Sequence, residues 1–218
     1  EMPLAVAIPK TIDDLKKLIR FASKEKTSLI PRTAGTSLAG QVVGNGIIVD
    51  VSKNFTGILE LNAAEKWVRV QPGVIRDELN LFLKPHGLFF GPETSTANRA
   101  MIGGMVGNNS CGSNSVVYRS TREHLLQVKT ILSDGTEAVF ETLDTESFHN
   151  KCEGAGLEAN IYKSIRTILG NYDNQVEIRK QFPKASIERR NTGYAVDVLL
   201  ESAPFTVGKE DFNFCKLI

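Results

Sequence analysis

MIGGMVGNNSCGSNS, residues 101–115, places four glycines, three asparagines and three serines in fifteen positions. A simple turn uses two or three such residues. The stretch therefore predicts a backbone that something approaches closely along much of its length, where side chains would intrude. It follows a proline-marked loop, FGPETSTANR (90–99), and precedes a strand-like run, HLLQVKTILSDG (124–135).

A second loop rich in small residues, PRTAGTSLAGQ (31–41), comes earlier and follows a strand. It carries Arg32, two glycines and the hydroxyls of Thr33, Thr36 and Ser37. Successive backbone N–H groups in such a loop can turn inward as an anion nest, with the hydroxyls and the guanidinium as further donors. The loop is not a Walker A motif, because Gln41 follows Gly40 where Lys-Ser/Thr is required. Nor does it hold the G-x-G-x-x-G that leads a dinucleotide-binding strand into its helix.

Around these loops the chain alternates. LAVAIP (4–9) reads as a buried strand, and Thr11 with Asp14 reads as a capping box opening a helix whose inner face is Ile12, Leu15, Ile19 and Ala22. Segments 28–31, 46–52, 57–62 and 66–73 read as further strands. A helix at about 74–84 packs Ile75, Leu79, Phe82 and Leu83 and stops at Pro85 and Gly87. Asp134-Gly135 turns a hairpin over 128–141. Beyond about 155 helices take over: one is marked by Leu157, Ile161, Ile165 and Ile168, another lies within IERRNTGYAVDVLL (187–200). The mixture predicts an α+β fold with two lobes.

Composition narrows the partners. The 218 residues are 41% hydrophobic and 23% charged with a net charge of +1, which points to neither nucleic acid nor an anionic membrane. No apolar run reaches the ~18 residues of a membrane span. Cys111, Cys152 and Cys215 have no zinc, iron–sulfur or disulfide spacing, consistent with a reducing, cytoplasmic setting. His86, His124 and His149 share no metal-ligand spacing, and Trp67 reads as core.

The two loops, taken in order with the strand ending in SDG, resemble the FAD-binding domain of the vanillyl-alcohol oxidase / p-cresol methylhydroxylase family over roughly residues 3–145. RRNTGYAVD (189–197) is similar to a segment of the branch that oxidises D-2-hydroxy acids such as D-lactate, glycolate and D-2-hydroxyglutarate. The resemblance implies a PCMH-type fold of two lobes, residues 1–73 with the pyrophosphate loop and 74–218 as a second lobe incomplete at its C-terminus. The family's closing Gly-Ser-Glu-Gly-Thr segment and its substrate-capping domain lie beyond this sequence. It further implies FAD between the lobes. Arg32, Thr33, Ala34, Gly35, Thr36 and Ser37 would take the pyrophosphate. Pro92, Thr94, Ser95 and Thr96 would lie near the ribityl and phosphate groups. Ile102, Gly103, Gly104, Asn108, Asn109, Ser110 and Gly112 would follow the ring system, with Gly107 adding clearance.

Departures from the family pattern carry expectations of their own. Thr36 stands where covalent members have a histidine, so the FAD is expected to be non-covalent. Ala34 stands in place of a usual glycine, and Arg119 where a glycine often follows the tyrosine at 118. The resemblance implies a hydride-transferring oxidoreductase acting on a small 2-hydroxy acid, with an unidentified electron acceptor. The alternative is a non-catalytic nucleotide- or anion-binding lobe that serves assembly in a larger chain.

Overall fold

Thr11 opens the first helix as the sequence predicts. Its hydroxyl accepts the Asp14 N–H at 3.1 Å, and the Asp14 carboxylate accepts the Thr11 N–H at 3.1 Å. The Lys10 amide, with Thr11, holds the Asp14 carboxyl below the usual carboxylate range. This helix, α1 (Ile12–Glu25), ends where Lys26 turns into the left-handed region at φ 52°. The computed structural model describes residues 2–184, 186, 187, 190 and 193–218. They divide into two units, one ending at Thr121 and the other beginning at Arg122.

In the first unit, β1 (Ala5–Ala7), β2 (Leu29–Arg32) and β3 (Ile47–Asp50) form a parallel sheet in the order β1-β3-β2. Register sets Val6 and Ile30 on either side of Ile48. In the central strand Ile47, Ile48 and Val49 are all buried, as a strand covered on both faces requires, whereas the outer β1, expected to be buried, leaves Val6 58% exposed. A β-hairpin follows, β4 (Ile58–Asn62) with β5 (Trp67–Val70), and then helix α2 (Arg76–Leu83). Leu79 and Leu83 of α2 are buried, whereas Phe82, expected to pack, is 42% exposed. Ile12 is likewise 49% exposed, so the inner face of α1 is narrower than its periodicity implied. Trp67 is only half-buried rather than core. Its indole N–H donates to Glu65 Oε2 at 2.8 Å, and the Arg69 guanidinium lies 5.8 Å from the ring. A polar N–H that finds a carboxylate at the surface has no need of the interior.

No break in packing falls at residue 73. Val74, Leu79, Leu83, Ala100, Ile102 and Met105 share one core with Ile58, Leu61, Val68 and Val70 of the hairpin. The same core includes part of the glycine-rich stretch, which is not simply a loop. Residues Ile102–Gly107 form a short helix, α3, and Ser115–Tyr118 form another turn of helix, α4.

The second unit is built on the hairpin β6 (Val128–Ile131) and β7 (Glu137–Phe140), whose turn has Gly135 at φ 83° as Asp134-Gly135 predicts. A second antiparallel pair joins β8 (Thr142–Leu143) to β9 (Phe212–Asn213). Between them lie α5 (Thr145–Glu153), α6 (Gly156–Gly170), α7 (Tyr172–Gln181) and α8 (Val196–Leu200). Phe148, Tyr162, Leu169, Leu200 and Phe212 are fully buried, with Phe148 and Phe212 rings 4.8 Å apart. The expected helix within 187–200 is confined to α8. Glu188, Arg189, Asn191 and Thr192 of that stretch lie outside the described residues, and Tyr194 is exposed.

The three cysteines are free thiols. Cys152 and Cys215 are buried, and burial pushes the Cys215 thiol up to about 11. Among the described residues no helix is long and apolar enough to cross a membrane, and no group of His, Cys, Asp and Glu could hold a metal ion.

Candidate functional site

The first glycine loop leaves β2 at Arg32 and runs exposed or half-buried to Gln41. Gly35 sits at φ +68°, in the left-handed region, and a Cβ there would lie 3.0 Å from Arg32 Nε. The arginine therefore folds back over its own loop, using space that only glycine leaves. Among the described residues, none of the main-chain N–H groups of Thr33, Ala34, Gly35, Thr36 and Ser37 finds a protein acceptor. Half-buried residues with their amides in that state leave main-chain donors open to solvent or to a ligand.

The second segment, Pro92 to Thr96, has the same property. Pro92 is fully buried. Thr94 and Thr96 hydroxyls lie 3.5 Å apart, and their carbonyls take up the N–H groups of Ala97, Arg99 and Ala100. The N–H groups of Thr94, Ser95 and Thr96 donate to no acceptor among the described residues.

The third segment is the glycine-rich stretch. A Cβ on Gly103 would stand 2.4 Å from Pro72 Cβ and 3.1 Å from the Pro72 carbonyl oxygen. One on Gly112 would stand 2.4 Å from the Glu93 carbonyl oxygen. For Gly112 the close neighbour is the chain's own backbone, and for Gly103 it is the Pro72 ring with the Pro72 backbone just behind it. Gly104 faces the first loop, with Thr33 Oγ1 2.6 Å from where its Cβ would be, and Gly107 faces open space. The crowding foreseen from the sequence is thus largely internal. It lets α3 lie against residue 72, against the first loop and, through Gly112, against the second segment.

The loops also meet through side chains. Gln41 Nε2 donates to Asn108 Oδ1 at 2.9 Å, and the Ser37 hydroxyl donates to Gln41 Oε1. Asn108 Nδ2 reaches Ser110 Oγ at 3.4 Å, so a polar chain runs from Ser37 to Ser110 across both glycine loops. Asn109 is buried, with φ at +43°. Ile102, by contrast, is a core residue whose N–H is spent on the Val74 carbonyl at 2.9 Å.

Three groups that the sequence did not single out support this arrangement. Thr121, fully buried, holds the Ser110 carbonyl with both its hydroxyl at 2.8 Å and its N–H at 3.0 Å. The Glu93 carboxylate takes the Asn114 amide at 2.6 Å, tying the second segment to the third. Gln41 closes the contact between the glycine loops. Polar residues that act on other loops have no periodic or local signature, so Gln41 and Glu93 had a signal only by lying within quoted motifs, and Thr121 had none.

Arg119 has φ 57° and ψ −147°, beside the region that glycine alone occupies readily. The family's usual glycine at this place therefore has a backbone cause. Arg119→Gly is expected to raise the stability of the first unit by about 1 kcal/mol, the relief of strain less the extra freedom of an unfolded glycine. Thermal unfolding checks this, and an unchanged or lower melting temperature would show that the arginine's contacts offset its strain.

The arrangement can hold a long polyanionic ligand by main-chain donors, with small residues wherever it comes near. Comparison with known proteins agrees in kind. Residues 3–140 match the family described as FAD binding domain. A D-2-hydroxyglutarate dehydrogenase of Haemophilus influenzae is 36% identical over 227 residues, covering 100% of this chain and 21% of that protein. One from Escherichia coli K12 is 45% identical over 148 residues, 66% of this chain and 14% of its own. The chain thus spans about a fifth or less of the length of these relatives. Among solved structures, 6-hydroxy-D-nicotine oxidase from Arthrobacter nicotinovorans superposes with a TM-score of 0.56 at 18% identity, over 64% of this chain and 30% of that one. That likeness establishes the fold, the PCMH-type α+β arrangement expected from the two loops.

Proposed function

We propose, for a chain that belongs to the FAD binding domain family, that its three convergent segments form the FAD seat of an oxidoreductase acting on a small D-2-hydroxy acid. The observation that carries the reading is the pair of segments, half-buried 33–37 and 94–96 with Ser95 exposed between half-buried Thr94 and Thr96, whose N–H groups have no protein acceptor among the described residues. All three segments belong to the first unit, the pyrophosphate loop before residue 73 and the other two after it. Arg32 and the amides of Thr33 to Ser37 hold pyrophosphate charge. The Thr94, Ser95 and Thr96 groups serve the ribityl and phosphate end, and the Asn108, Asn109 and Ser110 groups the polar edge of the ring. Thr36 offers no atom for a covalent tether, which supports non-covalent binding.

Bound FAD supplies the hydride acceptor for the alpha carbon of the acid. The chain's own part is to bind, orient and shield. The names of the relatives support a 2-hydroxy acid as substrate, and their much greater length supports a further domain that binds it. None of the three histidines lies on the three segments, so the base for the hydroxyl proton belongs to other parts of such a protein. Three free thiols support a reducing compartment, with the cytoplasm as the proposed one.

Titration of FAD into the 218-residue chain tests the reading. Quenched flavin fluorescence and a shifted flavin absorption band are expected, with all the flavin released into the supernatant by acid precipitation. Arg32→Ala should weaken binding by about ten- to a hundredfold, through loss of a charged donor. Equal binding of pyrophosphate, ADP and FAD would favour the non-catalytic anion-binding lobe. Flavin that stays with the precipitated polypeptide would overturn the non-covalent assignment.

A further inference from the structure

The segment that carries Thr94, Ser95 and Thr96 is held at both ends by one residue. Arg76, in the first turn of α2, has a side chain only 15% exposed. Its Nε donates to the Pro92 carbonyl at 3.1 Å and its Nη2 to the Phe90 carbonyl at 3.4 Å. Its main-chain N–H donates to the Ala100 carbonyl at 2.9 Å, on the far side of the segment. The neighbouring Asp77 N–H reaches the Ala97 carbonyl at 3.3 Å, and the Asp77 carboxylate accepts from Arg76 Nη1 at 2.9 Å. One turn along, the Asn80 side chain accepts the Phe90 N–H at 2.7 Å and donates to the Phe90 carbonyl at 3.2 Å.

This arrangement is reciprocal. Helix α2 has no side-chain cap, since its N-cap is Ile75. Its first N–H groups are satisfied by carbonyls of the segment it holds. A free loop between residues 90 and 100 would sample many shapes, and its ends are costly to bring together. With both ends fixed on one helix turn, the amides between them are ordered before any ligand arrives, which lowers the entropy lost on binding.

Resting on the FAD reading above, we propose that Arg76, with Asn80 beside it, is a positioning residue for the cofactor seat. It sets the Thr94, Ser95 and Thr96 amides in the arrangement that receives FAD. Three of the five guanidinium N–H groups already donate to protein oxygens, and the side chain is only 15% exposed, so its chief role is to hold the chain around it. Its action runs through the main chain.

The test uses the 218-residue chain with Arg76→Ala, Arg76→Lys and Asn80→Ala, and two measurements. In the absence of FAD, hydrogen exchange at the bonded amides of Ala97, Arg99 and Ala100, which donate to the Thr94 and Thr96 carbonyls, should be at least tenfold faster in Arg76→Ala, with α1 unchanged. FAD affinity should fall by about tenfold or more. Methylguanidinium added to Arg76→Ala should restore part of it and do nothing for the unaltered chain. Arg76→Lys should remain impaired, because an ammonium lacks the planar fork that spans two carbonyls. If Arg76→Ala does not fold, Asn80→Ala carries the same two measurements with Arg76 in place. Unchanged exchange at Ala97, Arg99 and Ala100 overturns the proposal, as does unchanged FAD affinity in a variant whose exchange has risen. If the unaltered chain takes up no FAD while Arg76→Ala still shows faster exchange, the cofactor reading falls, and the positioning of FAD falls with it.

Discussion

Gly112→Val should unfold the first unit about 10 °C earlier than the unaltered chain and abolish FAD binding. The added Cβ would lie 2.4 Å from the Glu93 carbonyl oxygen and 2.8 Å from the carbonyl carbon. A flexible side chain could swing away, but this neighbour is backbone, and it is held on two sides. Arg76 grips the Pro92 carbonyl at 3.1 Å, and Asn114 binds the Glu93 carboxylate at 2.6 Å. Valine therefore has to separate the second and third segments. Overpacking of this kind costs about 3 kcal/mol, and for a unit of this size each kcal/mol moves the midpoint by roughly 3 to 5 °C. Gly107→Val is the matched control, since nothing lies within 4 Å of its Cβ position. Calorimetry of both variants decides the matter, and equal melting temperatures would refute the internal-packing role assigned to Gly112.

Gly35→Val should do the reverse: leave the fold nearly intact and reduce FAD affinity by more than a hundredfold. At φ +68° a β-branched residue is a steric outlier, so valine drives the loop to another backbone conformation. The three atoms nearest its Cβ all belong to the Arg32 side chain, at 3.0 Å or more, and these can move. The loop is held to the rest of the unit by few contacts, so its change costs little stability. The nest of N–H groups from Thr33 to Ser37 depends on that conformation, and Arg32 loses the surface on which it lies. Gly40, also at positive φ but with open space around it, gives the comparison within the same loop. Preserved circular dichroism with lost flavin quenching is the expected pair of results, and preserved quenching would move the phosphate site elsewhere.

What the sequence disclosed depended on the range of the forces involved. The strands, the Thr11–Asp14 capping box and the Asp134-Gly135 turn were legible because each is set by residues a few positions apart. Both glycine loops were legible because main-chain chemistry leaves a compositional trace. The glycine-rich stretch misled in one respect: Ile102 and Met105 were spaced for a buried helical turn, and glycines disfavour a helix without forbidding it when the core holds it. Trp67 was read from its hydrophobicity, whereas Glu65 two positions earlier decided its place. Arg76 gave no signal at all. At the start of an amphipathic helix an arginine looks like a solvated charge, and its acceptors are carbonyls 14 and 16 residues away, which no local pattern encodes.

The order β1-β3-β2 has a consequence for how the chain assembles. The strand between the other two is the last of the three to be made, so β1 and β2 have no strand partner until residues 47–50 arrive. Parallel pairings of this kind close long stretches of chain and form slowly, whereas the β4–β5 hairpin closes on itself. The first cofactor loop is the very connection that carries the chain from outer β2 to central β3. Its shape is fixed only when β3 enters the slot and both pairings form together. FAD is consequently expected to meet this loop only after both parallel pairings have formed, later than the local β4–β5 hairpin.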